Sequence, residues 1–270
     1  MAFAQSSTVH GGPPTKISNN ANEHADHVPS DDDVLSVKYI LKNCGLPVEI
    51  IDDTLEFAQY WPCIHERRII EARAAADYRV GETYPDAGWC YIVSPPVPQG
   101  IKVRAVKFVI ESRDQGWGGE PRHRGTYEGS WTWFEAAIIR GEPWWLSEVL
   151  EGPVDLYKKG LAEDSRSAAR AAEVRSHEEE GSRWHIGVNV TATGSYKEHT
   201  FVWPRMYEDI KQQSMKGLVG LSHEFVRLLK PGDRVAVMAR AMVIPPSKST
   251  QFPGWANNVK RASIDLYYAR

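Results

Sequence analysis

Two hydrophobic periods divide this chain. Between residues 31 and 62 apolar side chains return every three or four positions, the period of a helix with one buried face. Val34, Val37 and Leu41 follow Pro29-Ser30-Asp31-Asp32-Asp33. Ser30 suits a helix cap, and the aspartates suit the positive end of the helix dipole. Gly45 fits the stop. A second helix opens at Leu46-Pro47, since proline is tolerated in the first turn. Ile50, Ile51, Leu55 and Ala58 make its apolar stripe, with Phe57 and Trp61 beside it and Pro62 to end it. The run from His65 to Asp77 is rich in Arg, Glu and Ala and predicts a third helix, so residues 31–78 read as a small helical unit.

From about Gly88 the period falls to two. Lys102-Val103-Arg104-Ala105 alternates, and so does Val106-Lys107-Phe108-Val109-Ile110-Glu111, but the phase slips between Ala105 and Val106. A one-residue slip turns every later side chain to the other face, so a β-bulge is expected there. Trp131, Trp133, Phe134, Ala136 and Ile138 show a similar slip. Trp184, Ile186, Val188 and Val190 alternate, and His199, Phe201 and Trp203 form a short strand closed by Pro204. Leu218, Leu221, Phe225 and Leu228 suggest a short amphipathic helix before the turn Lys230-Pro231-Gly232-Asp233. Val235, Val237, Ala239 and Ala241 make the next strand, and Ala262, Ile264, Leu266 and Tyr268 the last. Such strands, joined by Gly/Pro turns and long loops, predict a mainly β, antiparallel sandwich over residues 79–270.

Two stretches fit neither period. Residues 1–29 are Ser, Asn, His, Gly and Pro with few apolar side chains, the composition of a disordered tail. His10, His24 and His27 lie in it and read as solvated. Residues 155–183, with Lys158, Lys159 and Glu178-Glu179-Glu180, read as a charged insert between two strands.

Composition narrows the partners. The chain has 270 residues, a net charge of −3 and 42% hydrophobic residues, enough for a sizeable core. Such a charge argues against nucleic acid or an anionic membrane surface as partner. No run matches the length of a membrane-spanning helix. Cys44, Cys63 and Cys90 are scattered and odd in number, which suggests no disulfide framework. With no basic or apolar leader pattern at the start, a reducing compartment, cytoplasmic or nuclear, is expected. On that reading Asn189-Val190-Thr191 matches a glycosylation sequon by chance.

The candidate chemistry lies in aromatic loops. Asp114-Gln115-Gly116-Trp117-Gly118-Gly119 and Gly125-Thr126-Tyr127-Glu128-Gly129-Ser130-Trp131 surround one, and Pro253-Gly254-Trp255-Ala256-Asn257-Asn258 another. A flat ring offers a stacking face, and nearby polar groups supply directional hydrogen bonds. Trp117, Tyr127, Trp131 and Trp255 are the candidate ligand-binding rings, with Arg113, Asp114, Asn257 and Asn258 as polar partners. The competing reading is packing, which suits Trp133 best and is evenly balanced for Trp131. Catalytic constellations are thinner. Cys90 with His123 or His185 could pair as nucleophile and base, and Glu111 and Asp114 near Glu135 as carboxylates. His123, His185 and His199 could meet at a metal, though their spacing does not favour it. No phosphate-loop motif or other cofactor signature is present.

Two resemblances add to this. Leu46-Pro47-Val48-Glu49-Ile50-Ile51 resembles the opening helix of an F-box, a family whose helices dock on a ubiquitin-ligase adaptor. The match spans that helix alone, because Ala58-Gln59-Tyr60-Trp61-Pro62 stands where the family continues with a Leu-Pro break. It implies partner contacts through Ile50, Ile51 and Leu55. Gly254-Trp255-Ala256-Asn257-Asn258-Val259 running into Ala262-Ser263-Ile264 is similar to the closing motif of F-box-associated, galactose-binding-like jelly rolls. Some of those hold glycans on loop aromatics, but Pro253 stands where glycan readers tend to carry a Trp. The pairing of the two elements resembles a group of fungal proteins. The expectation is thus a non-enzymatic recognition module, adaptor-like, binding a carbohydrate or protein partner. The alternatives are a jelly-roll enzyme working through His and carboxylate groups, or a scaffold whose aromatics all pack.

Overall fold

The computed structural model describes residues 28–76, 86–156, 184–206, 222–242 and 254–270. Expectations for residues 1–27, for residues 157–183 of the insert, and for Leu218, Leu221 and Pro253 lie outside these.

Helix α1 (Asp31–Asn43) begins with a reciprocal cap: Ser30 Oγ accepts from the Asp33 N–H while the Asp33 carboxylate accepts from the Ser30 N–H at 2.8 Å. Two of the exposed N–H groups of the first turn are satisfied this way. Helix α2 (Val48–Phe57) packs on α1, with a Lys38–Asp52 ion pair at 2.8 Å between them. The third expected helix is absent. Residues 63–75 instead form strands β1 (Cys63–Arg68) and β2 (Ala72–Ala75). Their helix-favouring residues are overruled by the unpaired backbone edge of β10 (Ala256–Ala269), whose N–H and C=O groups both strands satisfy. The helical unit therefore ends near residue 58.

The remaining strands are β3 (Asp86–Val93), β4 (Lys102–Arg113), β5 (Thr132–Ile139), β6 (Val154–Asp155), β7 (His185–Val188), β8 (Lys197–Pro204) and β9 (Arg234–Met242). They build two five-stranded antiparallel sheets. Sheet A runs β1-β10-β4-β8, with β2 also on β10, and sheet B runs β6-β3-β9-β5-β7. The pairing joins first strands to last: β1 and β2 with β10, β3 with β9, β4 with β8, and β5 with β7. This part of the sequence reading holds: the protein is mainly β, with a few helices.

The expected bulge is present. Ala105 faces Tyr267 and Val103 faces Tyr268, which leaves Arg104 unpaired between them. Val103, Val106, Phe108 and Ile110 then all reach the core between the sheets. Phe201 and Trp203 from β8, Val235, Val237, Ala239 and Ala241 from β9, and Ala262, Ile264 and Leu266 from β10 meet them there. The short helix α4 (Ser222–Leu228) closes this core with Phe225 and Val226, the Phe225 ring lying edge-on to Trp203 at 5.1 Å. We number the six-residue helix Leu146–Glu151 as α3; it covers a second, smaller core on the outer face of sheet B, around Cys90, Ala137 and Ile139.

Strand β7 shows how tightly the sheets approach. A side-chain carbon on Gly187 would run into the Phe201 ring, closer than any real van der Waals contact. Overfilling a core of this density costs about 1–3 kcal/mol. Gly187→Ala is expected to lower stability by that amount in denaturant titration, with an unchanged m-value. Wild-type stability would show that the sheets separate freely.

Candidate functional site

The connections that leave β4 and β7 gather at one end of the sandwich. The chain between β4 and β5 (residues 114–131) and that between β7 and β8 (189–196) meet there with Trp255.

Asp114, the first residue past β4, holds two of these loops together. It is fully buried, yet its carboxylate is satisfied. Oδ1 accepts from the Gly116 N–H at 2.8 Å and the Thr193 N–H at 3.0 Å, and Oδ2 accepts from the Ala192 N–H. Burial pushes its carboxyl above the usual carboxylate range, and the three backbone donors pull the other way. Ala192 adopts a left-handed backbone (φ 55°) to present its N–H. Gly116 lies against Gly194 so closely that a side-chain carbon would sit 3.1 Å from the Gly194 Cα.

Behind Asp114 runs a buried chain of amides and hydroxyls. Ser112 Oγ donates to Asn189 Oδ1 at 2.7 Å. Asn189 Nδ2 donates to Thr132 Oγ1 and to Asn257 Oδ1, each at 2.9 Å. Asn257 Nδ2 donates in turn to the carbonyls of Trp133 and Arg240 at 3.0 and 3.2 Å. Ser112 and Asn257 belong to sheet A and Thr132, Trp133 and Arg240 to sheet B. The network therefore sutures the two sheets where the loops emerge.

This assigns the sequence candidates to two groups. Trp117 (48% exposed), Tyr127 (37%) and Trp131 (38%) are open to solvent, all on the β4–β5 connection. Tyr127 Oη lies 3.4 Å from His199 Nδ1, and its ring meets His199 edge-on. Beside them is a dimple of about 20 Å³, room for about one water, lined by Tyr127, Val188, Glu198, His199, Thr200 and Phe201. Arg113 places its guanidinium over the Tyr196 ring, 5.1 Å from the centroid.

Asp114, Asn257 and Trp255 are corrections: they are internal supports and offer nothing to a ligand in this state. Trp255 is 7% exposed and belongs to the main core. Its ring lies against Gly118 and Gly119: a side-chain carbon on either would sit 3.6 Å from it, in ordinary contact, and at Gly119 the tight neighbour would be the Thr191 methyl at 2.9 Å. Asn258 is half-buried and donates to the Asp114 carbonyl at 3.0 Å. Sequence reasoning missed Ser112, Thr132, Asn189 and Tyr196. The signal for Asn189 was an amide set among alternating apolar residues. Both Asn189 and Thr191 are fully buried, so the sequon is closed to modification in the folded chain.

The stripe expected on α2 is divided. Ile50 is 50% exposed, whereas Ile51 (1%) and Leu55 are buried. Val48 and Phe57 are open on the same helix, and Leu35, Tyr39 and Ile40 on α1. The catalytic constellations do not assemble. Cys90, Met238, Glu135 and His185 occupy one row across β3, β9, β5 and β7, so Cys90 and His185 stand about 14 Å apart, three strand spacings. Burial pushes the Cys90 thiol up to about 12. Burial also holds His185 below its ordinary value, although the neighbouring Glu135 opposes this. Glu135 accepts from Arg240 and from the Trp133 indole, each at 2.8 Å. Glu111 is on the outer face of sheet A with Lys260 and Arg261. Among the described residues no group of three His, Cys, Asp or Glu could hold a metal, and no helix is long and apolar enough to cross a membrane.

The chain matches no family model, and neither a curated protein nor a solved structure shows significant similarity to it.

The position of Trp255 fixes one expectation. Trp255→Ala should cost about 3–5 kcal/mol of stability, the range for a buried Trp cut to Ala, read by chemical denaturation. A loss under about 1 kcal/mol, within the scatter of surface changes, would show that the ring does not support the loop.

Proposed function

We propose that this is a non-enzymatic recognition protein that binds a carbohydrate or protein partner with the aromatic loop at one end of a jelly-roll sandwich. The observation that carries this reading is the contrast within residues 113–131. The backbone is fixed by a buried, fully bonded Asp114, while Trp117, Tyr127 and Trp131 stay exposed. Large rings left in water on a held loop lose little conformational freedom when a ligand arrives. A scaffold would have packed them.

The strand order supports the jelly-roll assignment. With β1 and β2 taken as one interrupted strand and the two-residue β6 set aside, the strands pair first with last, successively inward. A long hairpin rolled into two sheets has this order. The galactose-binding-like and F-box-associated resemblance fits that arrangement and rests on the closing-strand motif. The enzyme alternative is disfavoured because Asp114 and Glu135, the buried carboxylates of the candidate pairs, are both held in hydrogen bonds to the protein itself.

The adaptor role rests on a smaller base. Val48, Ile50 and Phe57 are the apolar side chains α2 leaves open, so a ligase adaptor would meet these, with Ile51 and Leu55 serving as the helix's inner anchor.

Trp117→Ala is expected to weaken ligand capture on glycan and protein arrays by about 1–3 kcal/mol, as an aromatic anchor does, with stability within about 0.5 kcal/mol of wild type. Undiminished binding by the folded variant would refute the loop as the site. The adaptor role is checked with purified ligase adaptor. Ile50→Asp should abolish an interaction that wild type shows, and no interaction with wild type removes the adaptor role alone.

A further inference from the structure

The opposite end of the sandwich carries positive charge that the described residues only partly match. Arg104 is the bulge residue near the start of β4. A bulge bends the strand and re-aims the side chain it carries. Arg205 follows the end of β8, and its N–H donates to the Arg104 carbonyl at 2.8 Å. Arg227, in the last turn of α4, donates through Nε to the Arg205 carbonyl at 3.3 Å. Arg104 is nine positions along β4 from Arg113, so this cluster is about 30 Å from the aromatic loops.

Bracing explains only part of it. Arg205 Nη1 donates to the carbonyls of Val103 and Val226, both at 3.3 Å, and so ties α4 to sheet A. Its Nε and Nη2 have no partner among the described residues, nor do the terminal nitrogens of Arg227. Arg104 Nε is buried without a hydrogen bond. Among the described residues one carboxylate answers the three: Glu56 of α2 pairs with Arg104 Nη1 at 3.2 Å. Glu56 is itself positioned by the Trp61 indole, which donates to its other oxygen at 3.2 Å. Burial, and then the charges of Arg104 and Arg227, hold the Arg205 guanidinium below its ordinary range, so the cations repel one another as they stand. A single bound anion would relieve this repulsion and take up the idle donors.

We propose that Arg104, Arg205 and Arg227 form a binding site for a phosphate-class oxyanion at the end of the sandwich opposite the aromatic loops. Planar guanidinium forks match the oxygens of a tetrahedral anion in pairs, which a halide cannot reproduce. Glu56 competes for Arg104 and sets how tightly the anion is held. The site stands apart from ligand recognition at the loops.

The full chain is titrated with inorganic phosphate and with glycerol phosphate, followed by melting temperature and calorimetry. Sodium chloride at equal ionic strength is the control. Phosphate should raise the melting temperature where chloride does not. Binding of both probes marks a phosphoryl-group site, and binding of inorganic phosphate alone marks a free-ion site. Arg227→Gln should weaken binding about tenfold, the loss of one charge-assisted contact, and Arg227→Lys should recover part of it. Glu56→Gln, which alters no arginine, should tighten binding several-fold. Equal effects of phosphate and chloride overturn the proposal, as does unchanged binding in Arg227→Gln or no gain in Glu56→Gln.

Discussion

The amide of Asn189 is the contact on which the loop end depends. Burying an amide is costly unless its donors and acceptor are met. Here they are met from both sheets: Ser112 donates to its oxygen, and Thr132 and Asn257 accept from its nitrogen. Such a network is satisfied at only one spacing and one register of the two layers, so it defines their alignment as well as stabilising it. Asp114 then extends the same order outward, from the strand ends into the loops. Without this pair of buried anchors, the glycines at 116, 118 and 119 would leave the β4–β5 connection free to sample many conformations.

The two ends of the sandwich solve different problems. At the loop end, polar groups are paired inside and apolar rings remain outside, an inversion of the usual arrangement that costs little only if something eventually covers the rings. At the other end, arginines hold α4 and the strand ends together through backbone carbonyls. On the readings proposed above, the first surface would meet a ligand through its aromatic rings and the second a small anion. The core between them, built from Phe108, Phe201, Trp203 and Phe225, keeps the surfaces fixed relative to each other.

Much of the fold was legible because alternation reports directly on which face is buried. The phase slip at Ala105/Val106 located the bulge at Arg104, and the last strand's pattern of Ala262, Ile264 and Leu266 matched its inner face. Two kinds of information were hidden. Residues 65–77 carry helix-favouring side chains, and only pairing with the edge of β10 makes strands of Cys63–Arg68 and Ala72–Ala75. In the candidate site, composition marked the right loop and the exposed Trp117, Tyr127 and Trp131, but it could not tell an outward ring from an inward one. Trp255 is buried in the main core beneath Gly118 and Gly119, a relation between segments far apart in the chain. The division of α2 into a buried Ile51 and an open Ile50 likewise depends on what the helix rests upon.

The first-with-last pairing of strands has a consequence for how the molecule comes into being. His65 meets Asp265 across 200 positions of chain, and β10 lies between β1 and β4 in sheet A. Until β10 has been made, sheet A lacks its middle, and β4 presents an open edge and an uncovered apolar face. Long-range pairings of this kind slow folding, because distant segments must be brought together before any contact rewards them. During synthesis the strands made before β10 therefore wait for their partner with an edge open to wrong pairing.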